Sequence, residues 1–227
     1  MWPSRFFIMV RVKICGITNL EDARAAVDFG ADALGFVFFK DSPRNISPKD
    51  AASIIRKLPS FVQTVGVVVD EGPETLEGMI AESGVDVVQL HGDEAPENCR
   101  SSRRVIKGIR IKSLDSLAPL EKYRDVVSAF LLDAFAPDAL GGTGRLFNWD
   151  IALEAKRFGK IILAGGLTPE NVADAVRYVA PYAVDVSSGI EAAKGKKDHE
   201  KMRLFIERAK FGAVSASSLP STPGSPS

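Results

Sequence analysis

Short, β-branched and almost continuously apolar runs recur along the chain, opening near Val12, Asp32, Val62, Val85, Val105, Val127, Lys160 and Tyr182. Runs such as Ile161-Ile162-Leu163 and Val126-Val127-Ser128-Ala129-Phe130-Leu131-Leu132 lack polar alternation, the pattern of strands covered on both faces of a parallel sheet. The segments between them carry helix punctuation. Thr18 and Glu21 have the spacing of a capping box, and Ser47-Pro48 and Thr168-Pro169 each set an oxygen acceptor before a first-turn proline. Gly30 and Gly84 close their helices, each followed by a similar opening, Ala31-Asp32-Ala33 and Val85-Asp86-Val87, an echo that hints at internal repetition. Strand–helix units repeated eight times within about 200 residues predict an α/β fold, a single-domain (β/α)8 TIM barrel with a parallel eight-stranded core. An open doubly wound sheet is the alternative; against it, no G-x-G-x-x-G follows the first run.

Composition narrows the function classes. The chain has 227 residues, 45% of them hydrophobic, with 29 basic against 29 acidic side chains, so collagenous and disordered readings fail and no cationic surplus serves nucleic acid. Two cysteines, Cys15 and Cys99, make no disulfide framework and point to a reducing, cytoplasmic setting. The expected organisation is a short leader over residues 1–9, a barrel over 10–211 and a disordered Ser/Pro-rich tail over 212–227. Met9 is a candidate alternative start, and no stretch has the apolar length of a membrane helix.

In a barrel of this kind chemistry collects where strands end. The exits here are polar or glycine-rich: Lys13-Ile14-Cys15-Gly16, Gln89-Leu90-His91-Gly92, Leu132-Asp133, Ala164-Gly165-Gly166 and Asp185-Val186-Ser187-Ser188-Gly189, with Ser42-Pro43-Arg44 and Gly141-Gly142-Thr143-Gly144 in loops. Glycines alone make tight turns, but two such loops on the last two strands, with Gly142 and Gly144 beside them, suit a phosphate. Cys15 alone reads as a small buried hydrophobe. Strand alternation sets Lys13 on its side, and an ammonium there favours a thiolate. The same parity brings Lys13 to Asp185 where the first and eighth strands meet. Asp133 reads as a site carboxylate or a turn residue, Arg44 as a fork for a substrate carboxylate or a solvated loop cation, and His91 as a structural ring that alone decides little. Cys99 sits in an expected helix and receives no role; no zinc, EF-hand, Walker or Ser-His-Asp pattern appears.

Taken together, Lys13-Ile14-Cys15-Gly16-Ile17-Thr18, Ser42-Pro43-Arg44, Gln89-Leu90-His91-Gly92, Leu132-Asp133, Gly141-Gly142-Thr143-Gly144, Ala164-Gly165-Gly166-Leu167 and Asp185-Val186-Ser187-Ser188-Gly189-Ile190-Glu191 occur in the order seen in phosphoribosylanthranilate isomerases. The resemblance spans Val10 to Phe211, and Gly195-Lys196-Lys197-Asp198 also looks like the family. It implies a tryptophan-pathway aldose–ketose isomerase performing an Amadori rearrangement of N-(5-phosphoribosyl)anthranilate without cofactor or metal, as a monomer or homodimer. On that resemblance Cys15 is the general base and Asp133 the general acid, Arg44 holds the anthranilate carboxylate, and Gln89 and His91 line the pocket. Gly142, Gly144, Gly165, Gly166, Ser187, Ser188 and Gly189 would hold the phosphate. Two rivals remain at this point. One is a related phosphosugar barrel of the histidine or indole-glycerol-phosphate kind, and the other is a phosphate-ligand-binding or interaction protein without catalysis.

Overall fold

The structure, a computed structural model, describes residues 10–134 and 149–211. The expected leader, the tail and the loop glycines Gly142 and Gly144 lie outside the described residues. Strands β1 (Arg11–Cys15), β2 (Ala33–Val37), β3 (Gln63–Val68), β4 (Val87–Leu90), β5 (Arg104–Ile111), β6 (Ala129–Ala134), β7 (Ile161–Ala164) and β8 (Ala183–Val186) close into one parallel barrel in chain order. Because β1 pairs with both β2 and β8, the open-sheet alternative is excluded. Helices α1 (Leu20–Asp28), α2 (Pro48–Ile55), α3 (Pro73–Ser83), α4 (Trp149–Ala155) and α5 (Val172–Val179) form crossovers. A short antiparallel pair, β9 (Glu191–Ala193) and β10 (Lys196–Lys197), precedes the last helix, α6 (His199–Phe211). No helix among the described residues is long and apolar enough to cross a membrane.

Two apolar layers explain why the strand runs lack alternation. Val65, Val87, Ile106, Ala129, Leu131, Ile162, Ala164 and Ala183 pack together inside the barrel. The intervening side chains, among them Ile14, Leu34, Phe36, Phe130 and Leu132, pack outward in one core with Ala23, Ala26, Ile54, Ile80, Val172 and Phe205 of the helices. Both faces are therefore dry. Parity then fixes what faces the lumen. Lys13 stands in register with Ala33 and Asp185, Gln89 two residues after Val87, and Asp133 two after Leu131.

Several local expectations need correction. The crossovers from β4 to β5 and from β5 to β6 contain 3₁₀ segments, Pro96–Asn98 and Leu114–Tyr123, in place of α-helices. Pro119 lies inside the second and cannot donate to an α ladder. Cys99 accordingly follows a single tight turn, buried and free, as Cys15 is. The cap of α1 is Asn19, whose side chain accepts from Asp22 N at 2.8 Å, whereas Thr18 Oγ1 donates to Gly195 O at 2.6 Å. Gly16 N and Ile17 N both donate to Gly35 O, which keeps the chain on the rim past Thr18. Likewise α5 begins at Val172 and not beside Thr168; Asn171 accepts from Thr168 N and donates to Gly166 O, bracing the glycine loop. Ser47 caps α2 with Pro48 at its first turn as expected, and Gly30 and Gly84 end α1 and α3 at φ 96° and 74°.

The echo between the two helix-to-strand openings has a structural basis. Asp32 Oδ2 accepts from Val12 N at 2.8 Å, and Asp86 Oδ2 accepts from Thr64 N at 2.9 Å. Each carboxylate satisfies a backbone donor at the foot of the preceding strand. Asp86→Ala strands the amide and hydroxyl of Thr64, which is 3% exposed. Urea unfolding should report a loss of about 1–3 kcal/mol, and a midpoint equal to the parent's would show that this foot bond holds nothing.

Candidate active site

Side-chain alternation on β1 and β8 sets a charged floor beneath the open end of the barrel. Lys13 Nζ lies 2.8 Å from Asp185 Oδ1, with side chains only 4% and 10% exposed. Space for this pair and for Cys15 comes from Gly35 on the neighbouring strand. A Cβ there would meet Cys15 Sγ at 2.8 Å and Lys13 Nζ at 3.1 Å. Burial draws the Lys13 ammonium down, but Asp185 and Cys15 together raise it beyond the usual lysine range, so it stays charged.

The Cys15 thiol behaves differently from the sequence expectation. Burial pushes it up, Lys13 pulls it back, Asp185 pushes it up again and Lys197 pulls it down; the sum lies above the ordinary thiol value. The expected thiolate-favouring effect of Lys13 is present but outweighed by desolvation. Sequence parity placed the ammonium; only burial in the folded chain reveals the opposing cost.

Above the floor opens a cavity of about 290 Å³. Cys15, Arg44, Gln89, His91, Asp133, Gly165, Gly166, Ser187, Ser188 and Gly189 all line it, so the structure brings together every expected site residue that it describes. Asp133 and Cys15 reach it from β6 and β1, three strands apart round the ring. His91 bridges two of the others, with Nε2 at 3.2 Å from Asp133 Oδ2 and Nδ1 at 2.9 Å from Gln89 Nε2. Gly165 and Gly166 turn the β7 exit through φ 78° and 66°. Gly189 packs so closely on the Leu167 carbonyl that any Cβ would collide with it, which locks the β7 and β8 exits together. Two buried polar atoms in the lining, Ser187 Oγ and Gln89 Oε1, have no hydrogen-bond partner among the described residues. Such atoms are costly unless a ligand or a rearranged neighbour satisfies them.

Arg44 is neither free nor merely solvated. Its Nε and Nη2 grip Glu191 Oε1 and Oε2 at 2.7 and 2.8 Å, and that hydrogen bonding raises the guanidinium further. Lys197, fully buried in its side chain, donates to Glu191 Oε1 at 3.1 Å and to Ser187 O at 3.2 Å. Burial pulls Lys197 below the usual lysine range against the counter-pull of Glu191. Burial also works against the Glu191 carboxylate, yet Arg44 and Lys197 hold it low. Sequence reading assigned no role to Glu191 or Lys197. Glu191 and Arg44 stand 147 residues apart, and only the closing of the ring makes them neighbours.

Known proteins resemble this chain over most of its length. The family model for N-(5'-phosphoribosyl)anthranilate (PRA) isomerase matches residues 12–208. The N-(5'-phosphoribosyl)anthranilate isomerase of Pelobacter propionicus is 59% identical over 203 residues, covering 89% of this chain and 96% of the relative. The crystal structure of phosphoribosyl anthranilate isomerase from Thermotoga maritima superposes with TM-score 0.83 at 47% identity, covering 89% of this chain and 99% of that one. A phosphoribosyl anthranilate isomerase in complex with reduced 1-(o-carboxyphenylamino)-1-deoxyribulose 5-phosphate has TM-score 0.81 and 45% identity, with coverage of 89% and 99%.

The balance of charges at Cys15 makes a measurable demand. In a Cys99→Ala background, the pH dependence of iodoacetamide alkylation should show the Cys15 inflection above the ordinary thiol value of about 8.5. Lys13→Met combined with Asp185→Asn removes a larger lowering and a smaller raising influence, so the inflection should climb further. An inflection that stays put would sever the electrostatic link.

Proposed function

This chain belongs to the phosphoribosylanthranilate isomerase family, and from that premise we propose that it converts N-(5-phosphoribosyl)anthranilate to 1-(2-carboxyphenylamino)-1-deoxyribulose 5-phosphate in tryptophan biosynthesis. The observation that carries the assignment of roles is the shared cavity: a thiol and a carboxyl from separate strands line it together with the Arg44 cation and the glycine loops. We assign the activity to the barrel, residues 10–211.

The rearrangement opens a furanose ring and moves a proton from C2, so it needs an acid and a base and proton transfers alone. Asp133 protonates the ring oxygen as the C1–oxygen bond breaks, leaving a protonated Schiff base. Cys15, as thiolate, removes the C2 proton to give an enolamine, which tautomerises to the aminoketose. Arg44 keeps its Nη1 hydrogens and one on Nη2 after pairing with Glu191, and these meet the anthranilate carboxylate. At the other end the phosphate is held by the backbone of Gly165, Gly166, Ser188 and Gly189 and by the unpartnered Ser187 hydroxyl, with the buried Lys197 behind that loop. Anchoring both ends converts remote binding energy into orientation of the sugar. A histidine-pathway chemistry resting on two aspartates fits less well, since the second lining carboxylate, Asp185, is committed to Lys13.

With freshly generated substrate, Cys15→Ala and Asp133→Ala should each lower kcat by about 10²–10⁴-fold while inorganic phosphate still binds. Near-normal turnover by Cys15→Ala would remove the base assignment. Arg44→Ala should act chiefly on KM, raising it about tenfold or more. Because burial holds the thiol up, the thiolate grows in as pH rises, so kcat/KM should climb from neutral pH into the alkaline range. A flat profile across that range would contradict a Cys15 base.

A further inference from the structure

An acid that delivers a proton at every turnover must recover one, and among the described residues the Asp133 carboxyl has one side-chain hydrogen-bond partner, the His91 ring, Nε2 to Oδ2 at 3.2 Å. The ring is seated deliberately. A Cβ on Gly108 of β5 would meet His91 Nδ1 at 2.7 Å, so any other residue there displaces it. Behind the ring Gln89, 1% exposed, presents Nε2 to Nδ1 at 2.9 Å while its buried Oε1 has no partner among the described residues. We propose that Gln89 and His91 form a proton-return chain for Asp133, with His91 a positioning residue acting through the carboxyl and Gln89 selecting the form of the ring. This rests on the isomerase reading above.

Hydrogen-bond valence gives the chain two settings. In the first, the Gln89 amide N–H donates to Nδ1, the neutral ring carries its proton on Nε2, and Asp133 accepts it as a carboxylate. In the second, the amide is turned half a revolution, Oε1 accepts from Nδ1–H, and the unsatisfied oxygen gains its partner. Passage between them takes one proton from solvent onto Nδ1, forming an imidazolium. Its Nε2 proton then moves to Asp133 Oδ2, leaving a neutral ring beside a carboxylic acid. Asp133 gives that proton to the furanose oxygen, and the next solvent proton enters at Nε2. One proton enters for each one delivered, the proton that Cys15 takes from C2 is released to solvent, and no charge accumulates.

The other ionisable groups around the pair are accounted for. Arg110 stands in register with Asp133 on β5, and Cys15 and the Lys13–Asp185 pair lie on β1 and β8. Arg44 is bound to Glu191 in the loop after β2. Glu94 and Lys107 neutralise each other at 2.9 Å behind the loop that follows His91, and Asp70 Oδ1 accepts from Asp93 N after β3. Of these, only His91 is in hydrogen-bond contact with the Asp133 carboxyl among the described residues, and its ring can both take up and hand on a proton.

The test uses the full chain, steady-state kinetics across pH and ¹⁵N NMR of histidine-labelled protein. The sequence has 2 histidines, so His91→Asn assigns the signals. That variant keeps polar contacts but carries no proton; kcat should fall about 10- to 100-fold with KM within twofold, and the acidic limb of the kcat profile should change shape. Gln89→Glu offers acceptor oxygens only and should move the His91 nitrogens to their doubly protonated signals at pH 7, with the acidic limb displaced in the same direction. Parent-like kcat in His91→Asn, or a loss confined to KM, overturns the chain. So do unshifted ring signals in Gln89→Glu, which decides the matter even where His91→Asn folds poorly. Shifted signals in a protein without turnover on phosphoribosylanthranilate support the chain and reject the reaction assigned above.

Discussion

The seam where β8 closes on β1 carries a buried ion pair, and the geometry of the cavity depends on it. Lys13 and Asp185 meet at 2.8 Å in register across that seam. Neither charge is tolerable there alone, since an unpaired ion in so dry a place costs several kcal/mol. Pairing keeps an ammonium directly beneath Cys15, where nothing else in the lumen offsets the desolvation of the sulfur so strongly. The same pair commits Asp185 to a partner, leaving Asp133 as the carboxyl of the cavity that, among the described residues, bonds a histidine and no lysine or arginine. One salt bridge thus sets both the character of the sulfur and the division of labour between two aspartates.

Around that floor the lining separates by function. The β7 and β8 exits are fused through Gly189 on the Leu167 carbonyl and braced by Asn171 on the Gly166 carbonyl, making a rigid wall of backbone. Beside it stands a side-chain triad in which two cations share the single carboxylate of Glu191. Lys197 links the two, since its ammonium touches both Glu191 and the Ser187 carbonyl. Backbone geometry and ion pairing therefore meet at one buried atom. A positional error in β10 propagates to both the loop and the triad.

The strand pattern was legible because burial on two faces writes itself into sequence as unbroken apolar runs, and strand parity then placed Lys13, Cys15 and Asp185 on one side before any coordinates. What resisted reading had a common cause. Thr18 and Asn19 both offer a capping oxygen, and the choice between them is made by two amides held on the Gly35 carbonyl, a contact across strands. The cap at Asn171 is displaced in the same way by the turn after the glycine pair. Prolines in the β4–β5 and β5–β6 crossovers, Pro96 and Pro119, stand in 3₁₀ segments where the apolar spacing alone suggests α-helices. The Arg44–Glu191 pair and the net direction of the Cys15 thiol depend on distances and desolvation, which no local window contains.

Asp32 and Asp86 clamp the feet of β1 and β3, at the end of the strands remote from Cys15 and Asp133. The molecule in consequence keeps its anchorage and its reactivity at opposite poles. Residues at the lower pole answer chiefly to mechanical soundness, and those at the upper pole to reaction geometry. Substitutions that trade one quality against the other are therefore confined to the narrow belt between them, at Lys13, Gly35 and Asp185, where a single side chain serves both.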